Sequence, residues 1–405
     1  MYKNWNLKKK QTCEVCDHPE LIEVLNLGNH PLCDDLVKVG EDRICDEFPI
    51  IINFCPNCYT AHQEFQVSKQ KLFTPEYHYR ARMTGSVLTG MKDLVENCEK
   101  KFGNLNGKKV LDVGCNDGSL LGFFKEKGCQ TFGIDPTDAI KDSEHDGLQA
   151  FFDKESALEI LNKFGNPDII TFTNVFAHIE DLKGLISSLL KLIDPSKTVV
   201  VIENHYLGSV LKTDQFDTYY HEHPRTYSYE SFKYISNSLQ LDLQDVQFVS
   251  RYGGNIRVFM SNIEVKEKSL TLLPDESNFL KDFERTNFHI QDWIKTQSKK
   301  ISKYVKKYGK ISAKAFPGRA AILIKLLSLD ENQISAVYEI KGSIKVNHYV
   351  PGTRIPILPE KDLYKSEENC KPILNLAWHI PNEVRENLIK NNFKGEIIDI
   401  KLLNQ

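Results

Sequence analysis

The segment Val110-Leu111-Asp112-Val113-Gly114-Cys115-Asn116-Asp117-Gly118 narrows the choice of fold more than any other part of the chain. An apolar burst from Lys109 to Val113 runs without a linker into a glycine-bearing turn, and Ser119 to Lys127 then carries helical periodicity. A strand that passes this directly into a helix opens a parallel α/β unit, because a parallel neighbour is reached only through a crossover. The middle of the chain repeats the alternation. Thr84 to Phe102 reads as a helix with Val87, Leu88, Met91, Leu94, Val95 and Cys98 on one face, broken by Gly103 and Gly107. Gln130 to Ile134 reads as a second strand closed by Asp135-Pro136, and Asp168 to Thr173 as a third. Leu182 to Ile193 follows as an amphipathic helix, then Thr198 to Glu203 as a fourth strand. Phe248 and Val249, with Arg257 to Met260, have the look of an antiparallel edge that closes such a sheet. The predicted fold class is α/β.

The turn also has a chemistry. In D-x-G-x-x-x-G the glycines let backbone approach a ligand where side chains would block it. The dinucleotide pattern G-x-G-x-x-G is absent, since the next glycine after Gly114 is Gly118, so the loop lacks the spacing that cradles a pyrophosphate. It suits an adenosine and a carboxypropyl group lying over the strand ends. Asp135, at the end of the second strand, is placed to accept hydrogen bonds from ribose hydroxyls, and Asp112 to pair with a ligand ammonium. Together these features read as S-adenosylmethionine (SAM) binding in a Rossmann-like domain. The cofactor contacts are assigned to Asp112, Gly114, Cys115, Asn116, Asp117, Gly118, Asp135, Pro136 and Asn174. A glycine turn without a ligand is the alternative.

Of the ten cysteines, Cys13, Cys16, Cys33, Cys45, Cys55 and Cys58 all fall in the first sixty residues. Cys13-x-x-Cys16 and Cys55-x-x-Cys58 have the spacing at which both thiolates of a knuckle face one tetrahedral ion. Asp17 follows the first pair and Pro56-Asn57 lies inside the second, as tight loops require. Phe48 to Phe54 is expected to return as a strand and bring the pairs together. The reading is a structural Zn²⁺ on Cys13, Cys16, Cys55 and Cys58; a thioredoxin-like redox pair is the rival, weakened because the motif occurs twice. Cys33 and Cys45 read as unligated, and Cys98, Cys115, Cys129 and Cys370 as core or loop thiols. A module this small and loop-rich needs a metal to hold itself together. The expected organisation is a zinc module over residues 1–72, a SAM-binding domain over 73–263 and a smaller C-terminal α/β domain over 264–405.

A hydrophobic fraction of 41% and a charged fraction of 26% belong to a globular protein and exclude disordered, collagen-like and membrane-bundle chains. The balance of 52 basic and 55 acidic residues leaves a net charge of −3, which favours neither nucleic acid nor a membrane surface. Met1 to Gln11 is lysine-rich without an apolar stretch, and no run approaches the roughly 20 apolar residues of a membrane helix, so a cytoplasmic location is expected.

The residues Val110 to Leu121 resemble the class I methyltransferase motif, and the chain as a whole resembles the sugar C-methyltransferases that act on nucleotide-linked 4-keto-6-deoxy sugars. The resemblance is carried by the paired N-terminal cysteines, Leu27-Gly28 to Asp34-Asp35-Leu36, Tyr77-His78-Tyr79-Arg80 with Met83-Thr84, and Asn174-Val175-Phe176-Ala177-His178. It continues through Gln215 to His223, Tyr252 to Val258 and Pro351 to Pro356. It implies a nucleotide-sugar substrate held in part by the C-terminal domain, and it makes His223 the general base. Two departures stand out. The family's Gly-Ala-x-x-Lys-Gly-Asn-like loop is replaced by Ala315-Phe316-Pro317-Gly318-Arg319-Ala320-Ala321, and its Trp-Asn element by Trp378-His379.

Methyl transfer to carbon needs a carbanion equivalent, which a ketone supplies as an enolate once a base removes the neighbouring hydrogen. Tyr220-His221-Glu222-His223 offers suitable groups within four residues: Glu222 to orient His223 or contact the sugar, Tyr220 and Tyr79 to stabilise the enolate or donate to sugar hydroxyls. His178, just after the third strand, is a second acid or base. A metal site on His221, Glu222 and His223 is disfavoured, because adjacent residues of a strand alternate direction. Arg251 and Arg257, flanking the Tyr252 segment, are expected either to meet a substrate diphosphate or to lie on a solvated surface. The expected activity is C-methylation. O-methylation of a sugar hydroxyl by the same base is the nearest alternative, and a non-catalytic zinc-containing binding protein is the alternative of a different class.

Overall fold

A computed structural model describes residues 7–74, 80–269 and 271–400. The chain forms two compact units that are not consecutive in sequence: the first takes Met1–Ile22, Asn53–Ser209 and Glu222–Phe279, the second Glu23–Ile52, Val210–His221 and Leu280–Gln405. The chain changes unit inside the strands Ile22–Pro31 and Glu47–Phe54.

In the first unit a short strand β1 (Ala61–Gln63) precedes helix α1 (Gly85–Phe102) and strand β2 (Lys109–Val113). Then come α2 (Ser119–Glu126), β3 (Gln130–Ile134), β4 (Asp146–Leu148), α3 (Lys154–Phe164), β5 (Ile169–Thr173), α4 (Leu182–Leu192) and β6 (Val199–His205). The unit closes with β7 (Arg225–Thr226), α5 (Tyr229–Ser238), β8 (Leu243–Val249) and β9 (Asn255–Met260). Seven of these strands make one sheet in the order β8-β9-β6-β5-β2-β3-β4, in which β9 runs antiparallel to both neighbours. The order reverses between β2 and β5, which pair in parallel with Asp112 opposite Thr171. Ligands of such sheets bind at the carboxyl ends of the strands flanking the reversal.

The helical periodicity of α1 has a direct cause in packing. Val87, Met91, Leu94, Val95 and Cys98 are buried against Val110, Ile169, Val199, Val201 and Phe259 of the sheet. Each such side chain contributes about 1.5–3 kcal/mol when fully buried. Helix α3 starts on a capping box in which Asp153 accepts from the Ser156 backbone. Strand β1 pairs antiparallel with β7, setting His62 opposite Arg225.

The second unit is organised by α6 (Phe279–Tyr308), a 30-residue helix whose Phe283, Ile290, Trp293 and Ile301 are buried while its lysines face outward. This lysine-rich helix is thus amphipathic, packed along its apolar face. Strands β10 (Ile311–Lys314), β11 (Ile334–Glu339), β12 (Ile357–Pro359), β13 (Ile373–Asn375) and β14 (Ile397–Asp399) form an all-parallel sheet ordered β12-β11-β10-β13-β14. Helices α7 (Ala320–Leu326) and α8 (Pro381–Lys390) follow β10 and β13. Among the described residues no helix is long and apolar enough to cross a membrane.

Candidate active site and metal centre

The loop after β2 is shaped by backbone that few residue types adopt. Gly114, Asn116 and Gly118 all have positive φ (74°, 51° and 75°), and a Cβ on Gly114 would lie 2.4 Å from Val175 Cγ2. The Gly114 amide donates to the Ile134 carbonyl, so β3 holds the turn open. Asp135 stands at the end of β3. Its Oδ2 accepts from the Asn116 amide at 2.9 Å, and its Oδ1 from the amide and hydroxyl of Thr137 at 2.9 and 2.6 Å. A carboxylate offers about four lone-pair directions, so three intramolecular donors leave one for a ligand hydroxyl. Asp112 lies deeper: Thr171 Oγ1 donates to its Oδ1 at 2.7 Å, and burial pushes its carboxyl up to about 7. Cys115 is buried behind the loop, and Pro136 follows Asp135 half-buried. The segment Arg80–Thr84 is tied to the same loop, since Asn116 Oδ1 accepts from the Ala81 amide and Asp117 Oδ2 from the amide and Nε of Arg82.

A histidine cluster occupies the carboxyl ends of the neighbouring strands. The His223 ring lies 4.9 Å from that of His178, which follows β5, and 5.2 Å from that of His205, which ends β6. His178 sits between two backbone carbonyls, Glu222 (2.7 Å from Nδ1) and Asn174, and burial holds its pKa below the ordinary value against their pull. A carbonyl only accepts, so the ring donates and clamps the Glu222–His223 peptide. Thr173 Oγ1 and both amide atoms of Asn204 are buried at these strand ends without a protein partner. Orphaned polar atoms of this kind suit a polar ligand.

The metal centre is built by two loops. The sulfurs of Cys13, Cys16, Cys55 and Cys58 all lie within 4.8 Å of one another, with Cys13–Cys58 at 3.4 Å and Cys16–Cys55 at 3.5 Å. An ion bound tetrahedrally at about 2.3 Å from each sulfur fits a cluster of this size. The bond to Cys55 holds the Cys13 thiol above its ordinary value, which a divalent cation would reverse. Around the sulfurs, His62 Nε2 reaches Cys13 Sγ at 3.4 Å and Thr60 Oγ1 reaches Cys58 Sγ at 3.0 Å.

Three protein families match the chain in succession: a zinc binding domain over residues 13–73, a methyltransferase domain over 79–249 and a C-methyltransferase C-terminal domain over 250–398. C-methyltransferase NovU of Streptomyces niveus is 27% identical over 401 residues, which is 96% of this chain and 91% of that protein. This chain is a SAM-dependent C-methyltransferase. A ubiquinone biosynthesis O-methyltransferase of Escherichia coli is 29% identical over 106 residues, covering 25% of this chain and 44% of that protein. The SAM-bound magnesium protoporphyrin IX methyltransferase of Synechocystis PCC 6803 is 15% identical with a TM-score of 0.33, over 44% of this chain and 79% of that one. SAM and a structural zinc ion are the cofactors of the C-methyltransferase.

The sequence-derived site residues are distributed as follows. His178, Glu222 and His223 come together in the first unit, and Tyr220 belongs to the second. Tyr79 lies outside the described residues. Asn174 adopts φ 55° at the end of β5 and accepts on Oδ1 from Asn255 Nδ2 at 2.9 Å. His221 is a buried second-unit residue: its Nε2 meets the Phe48 carbonyl at 3.1 Å, and burial drives its pKa down to about 4. Residues 221–223 form a turn and no strand, and the one group of ligating side chains found among the described residues is the four cysteines.

One expectation is corrected. Arg251 and Arg257 neither lie on a solvated surface nor stand ready for a diphosphate. Glu203, fully buried at the end of β6, accepts from Arg251 Nε at 3.0 Å and Arg257 Nε at 2.7 Å, and Arg257 also pairs with Asp93 at 2.8 Å. Apolar β9 carries Arg257 into the sheet, where a charge is stable only when paired. Glu203→Gln would leave two arginines partly uncompensated and is expected to destabilise the C-methyltransferase by about 3–5 kcal/mol. Urea unfolding checks this; a loss below about 1 kcal/mol would show the network to be a net-neutral one. The segment Ala315 to Ala321 has a partner of its own. Arg319 donates Nε and Nη2 to Asp217 at 2.7 and 2.8 Å, and Trp378 Nε1 donates to the same carboxylate at 2.7 Å. Arg319 of the first departure and Trp378, beside the second at His379, therefore converge on one buried aspartate of the second unit.

His205 and Glu203 are the functional-region residues that sequence reading missed. Their signal was position: both stand at the carboxyl end of the fourth strand, where this fold places its ligands.

Proposed function

We propose that this C-methyltransferase acts on a nucleotide-linked 4-keto-deoxy sugar, with His223 as general base. The observation that carries the reading is the placement of the His223 ring between His178 and His205 at the carboxyl ends of β5 and β6. The sugar is supported by the sequence resemblance and by the likeness to NovU over nearly the whole chain. Bound SAM supplies an electrophilic methyl group. His223 takes the proton from the carbon beside the ketone, the electron pair moves into an enolate, and that carbon becomes the nucleophile. Glu222 and Tyr220 contact the sugar or its enolate, as does Tyr79, and His178 holds the Glu222–His223 peptide. Asp112, Gly114 to Gly118, Asp135, Pro136 and Asn174 form the donor site. Residues 1–72, 73–263 and 264–405 then serve as metal module, donor domain and sugar-nucleotide domain, and the reaction runs in the cytoplasm.

Proton NMR of the product tests this after incubation with SAM and nucleotide-linked sugars with and without a 4-keto group. A methyl signal on carbon, formed only from the keto-sugar, is the expected result. A methoxy signal would replace the enolate with an alkoxide and make the enzyme an O-methyltransferase.

A further inference from the structure

We infer that Glu14 and Arg225 connect the metal knuckle to the histidine cluster, so that zinc positions the base as well as holding the module together; the inference rests on the reading of His223 above. Glu14 lies inside the first knuckle, between Cys13 and Cys16. Arg225 is fully buried two residues after His223. The Arg225 Nη1 donates to Glu14 Oε2 at 2.5 Å, Nη2 donates to the Ile179 carbonyl, and Nε donates to the Tyr227 hydroxyl at 3.0 Å. One guanidinium therefore grips the knuckle and the residue next to His178. The link is doubled through the backbone, because Arg225 pairs across β1–β7 with His62, whose ring reaches Cys13 Sγ on one side and lies 3.8 Å from Glu14 on the other.

The consequence is geometric. Residues 178–180 and 222–225 are joined by the His178 ring on the Glu222 carbonyl and by the Arg225 guanidinium on the Ile179 and Glu180 carbonyls. Those two ties hold the His178 and His223 rings at 4.9 Å. Glu14 anchors the second tie to the metal loop. Gln66 Nε2 at 2.7 Å and Lys10 Nζ at 2.7 Å complete the Glu14 carboxylate, so it is fixed from both sides. A buried guanidinium without its carboxylate would turn towards other acceptors and release the 179 carbonyl. Partners of metal ligands commonly tune activity as well as affinity. Glu14 and Arg225 are positioning residues, since neither is placed on the reacting atoms.

The test uses the zinc-loaded full chain carrying Glu14→Gln, with ¹³Cε1-labelled histidine. The expected result is retained zinc, SAM affinity within about two-fold, and loss of the cross-relaxation between the His178 and His223 rings. The proposal also expects kcat on the keto-sugar to fall about 10–100-fold, the range typical of such partners. Lys183→Ala, which cuts the exposed 2.6 Å pair with Asp17 on the same knuckle, should change none of these. If Glu14→Gln loses zinc or unfolds, Arg225→Lys decides by the same readouts, because it keeps the charge and removes the fork. A folded, zinc-loaded variant with the ring–ring signal intact overturns the proposal. The NMR arm needs no acceptor, so a wild-type enzyme inactive on keto-sugars would refute the substrate reading and leave this test standing.

Discussion

His223→Ala is expected to lower methyl transfer by about 10²–10⁴-fold, the contribution of a positioned general base, while SAM binding stays unchanged. The two halves of that expectation have separate physical grounds. The proposed donor site is the loop after β2, where Asp135 and Asp117 fix the backbone through the Asn116, Thr137 and Arg82 amides. His223 makes its ring contacts elsewhere, with His178 and His205. An unperturbed imidazole titrates near neutrality, so a histidine is the side chain suited to accept a carbon-bound proton at cellular pH. The flanking rings do different work. The His178 ring donates to the Glu222 carbonyl, so His178→Ala should act by releasing the Glu222–His223 peptide and should be partly rescued by His178→Gln, which retains a donor. Single-turnover assays with calorimetric SAM titration separate these effects. Turnover of His223→Ala within a few-fold of wild type would remove His223 from the role of base. Weakened SAM binding would instead mean that the histidine cluster supports the donor loop.

The parts of this molecule that were legible in sequence are those governed by local patterns. The strands β2, β3, β5 and β6 and helices α1, α2 and α4 were read within two residues of their ends, because each has an apolar period and a glycine, proline or polar stop. The cysteine quartet was legible because C-x-x-C spacing is set by ligand geometry. What escaped depends on distant partners. Arg257 sits in an apolar strand and reads as a surface or ligand-facing cation until Glu203 appears opposite it at the register pair Glu203–Arg257. Arg319 reads as a departure from a family loop until Asp217 and Trp378 are seen to share it. The interleaving of the two units was hidden for the same reason. Residues such as Phe48, Ile50 and Ile52 mark a buried strand without naming the unit that buries them. His205 was overlooked because a single histidine at a strand end carries no pattern of its own.

Removing the zinc, by chelation or by Cys13→Ser, is expected to release residues 7–22 from the rest of the first unit and to abolish turnover. Apart from the metal, that segment is held by polar ties from Lys8, Glu14 and Asp17 and by little apolar packing. Its strand Lys8–Lys9 pairs over two residues with Phe65–Gln66, and apart from Cys13 its only buried apolar side chain among the described residues is Val15. Structural zinc contributes an apparent 10–16 kcal/mol of binding at neutral pH, as much as the roughly 5–15 kcal/mol that stabilises a whole domain. Without the ion, four thiols packed within 4.8 Å of one another cannot all ionise, and protonated thiols make only weak hydrogen bonds. Limited proteolysis should then cut between Cys13 and Glu23, and the melting temperature should drop by about 10 °C or more, given 2–4 °C per kcal/mol for a unit of this size. The sheet itself need not melt, because the α1 core is remote in composition from the cysteines: Leu94, Phe124, Val110 and Val201 pack among themselves. SAM binding is therefore expected to survive metal removal while transfer does not. That split distinguishes a metal that serves the base from one that serves the fold alone. A zinc-free protein that melts at the same temperature and still turns over would refute the metal assignment at Cys13, and SAM binding lost together with transfer would make zinc a staple of the whole unit.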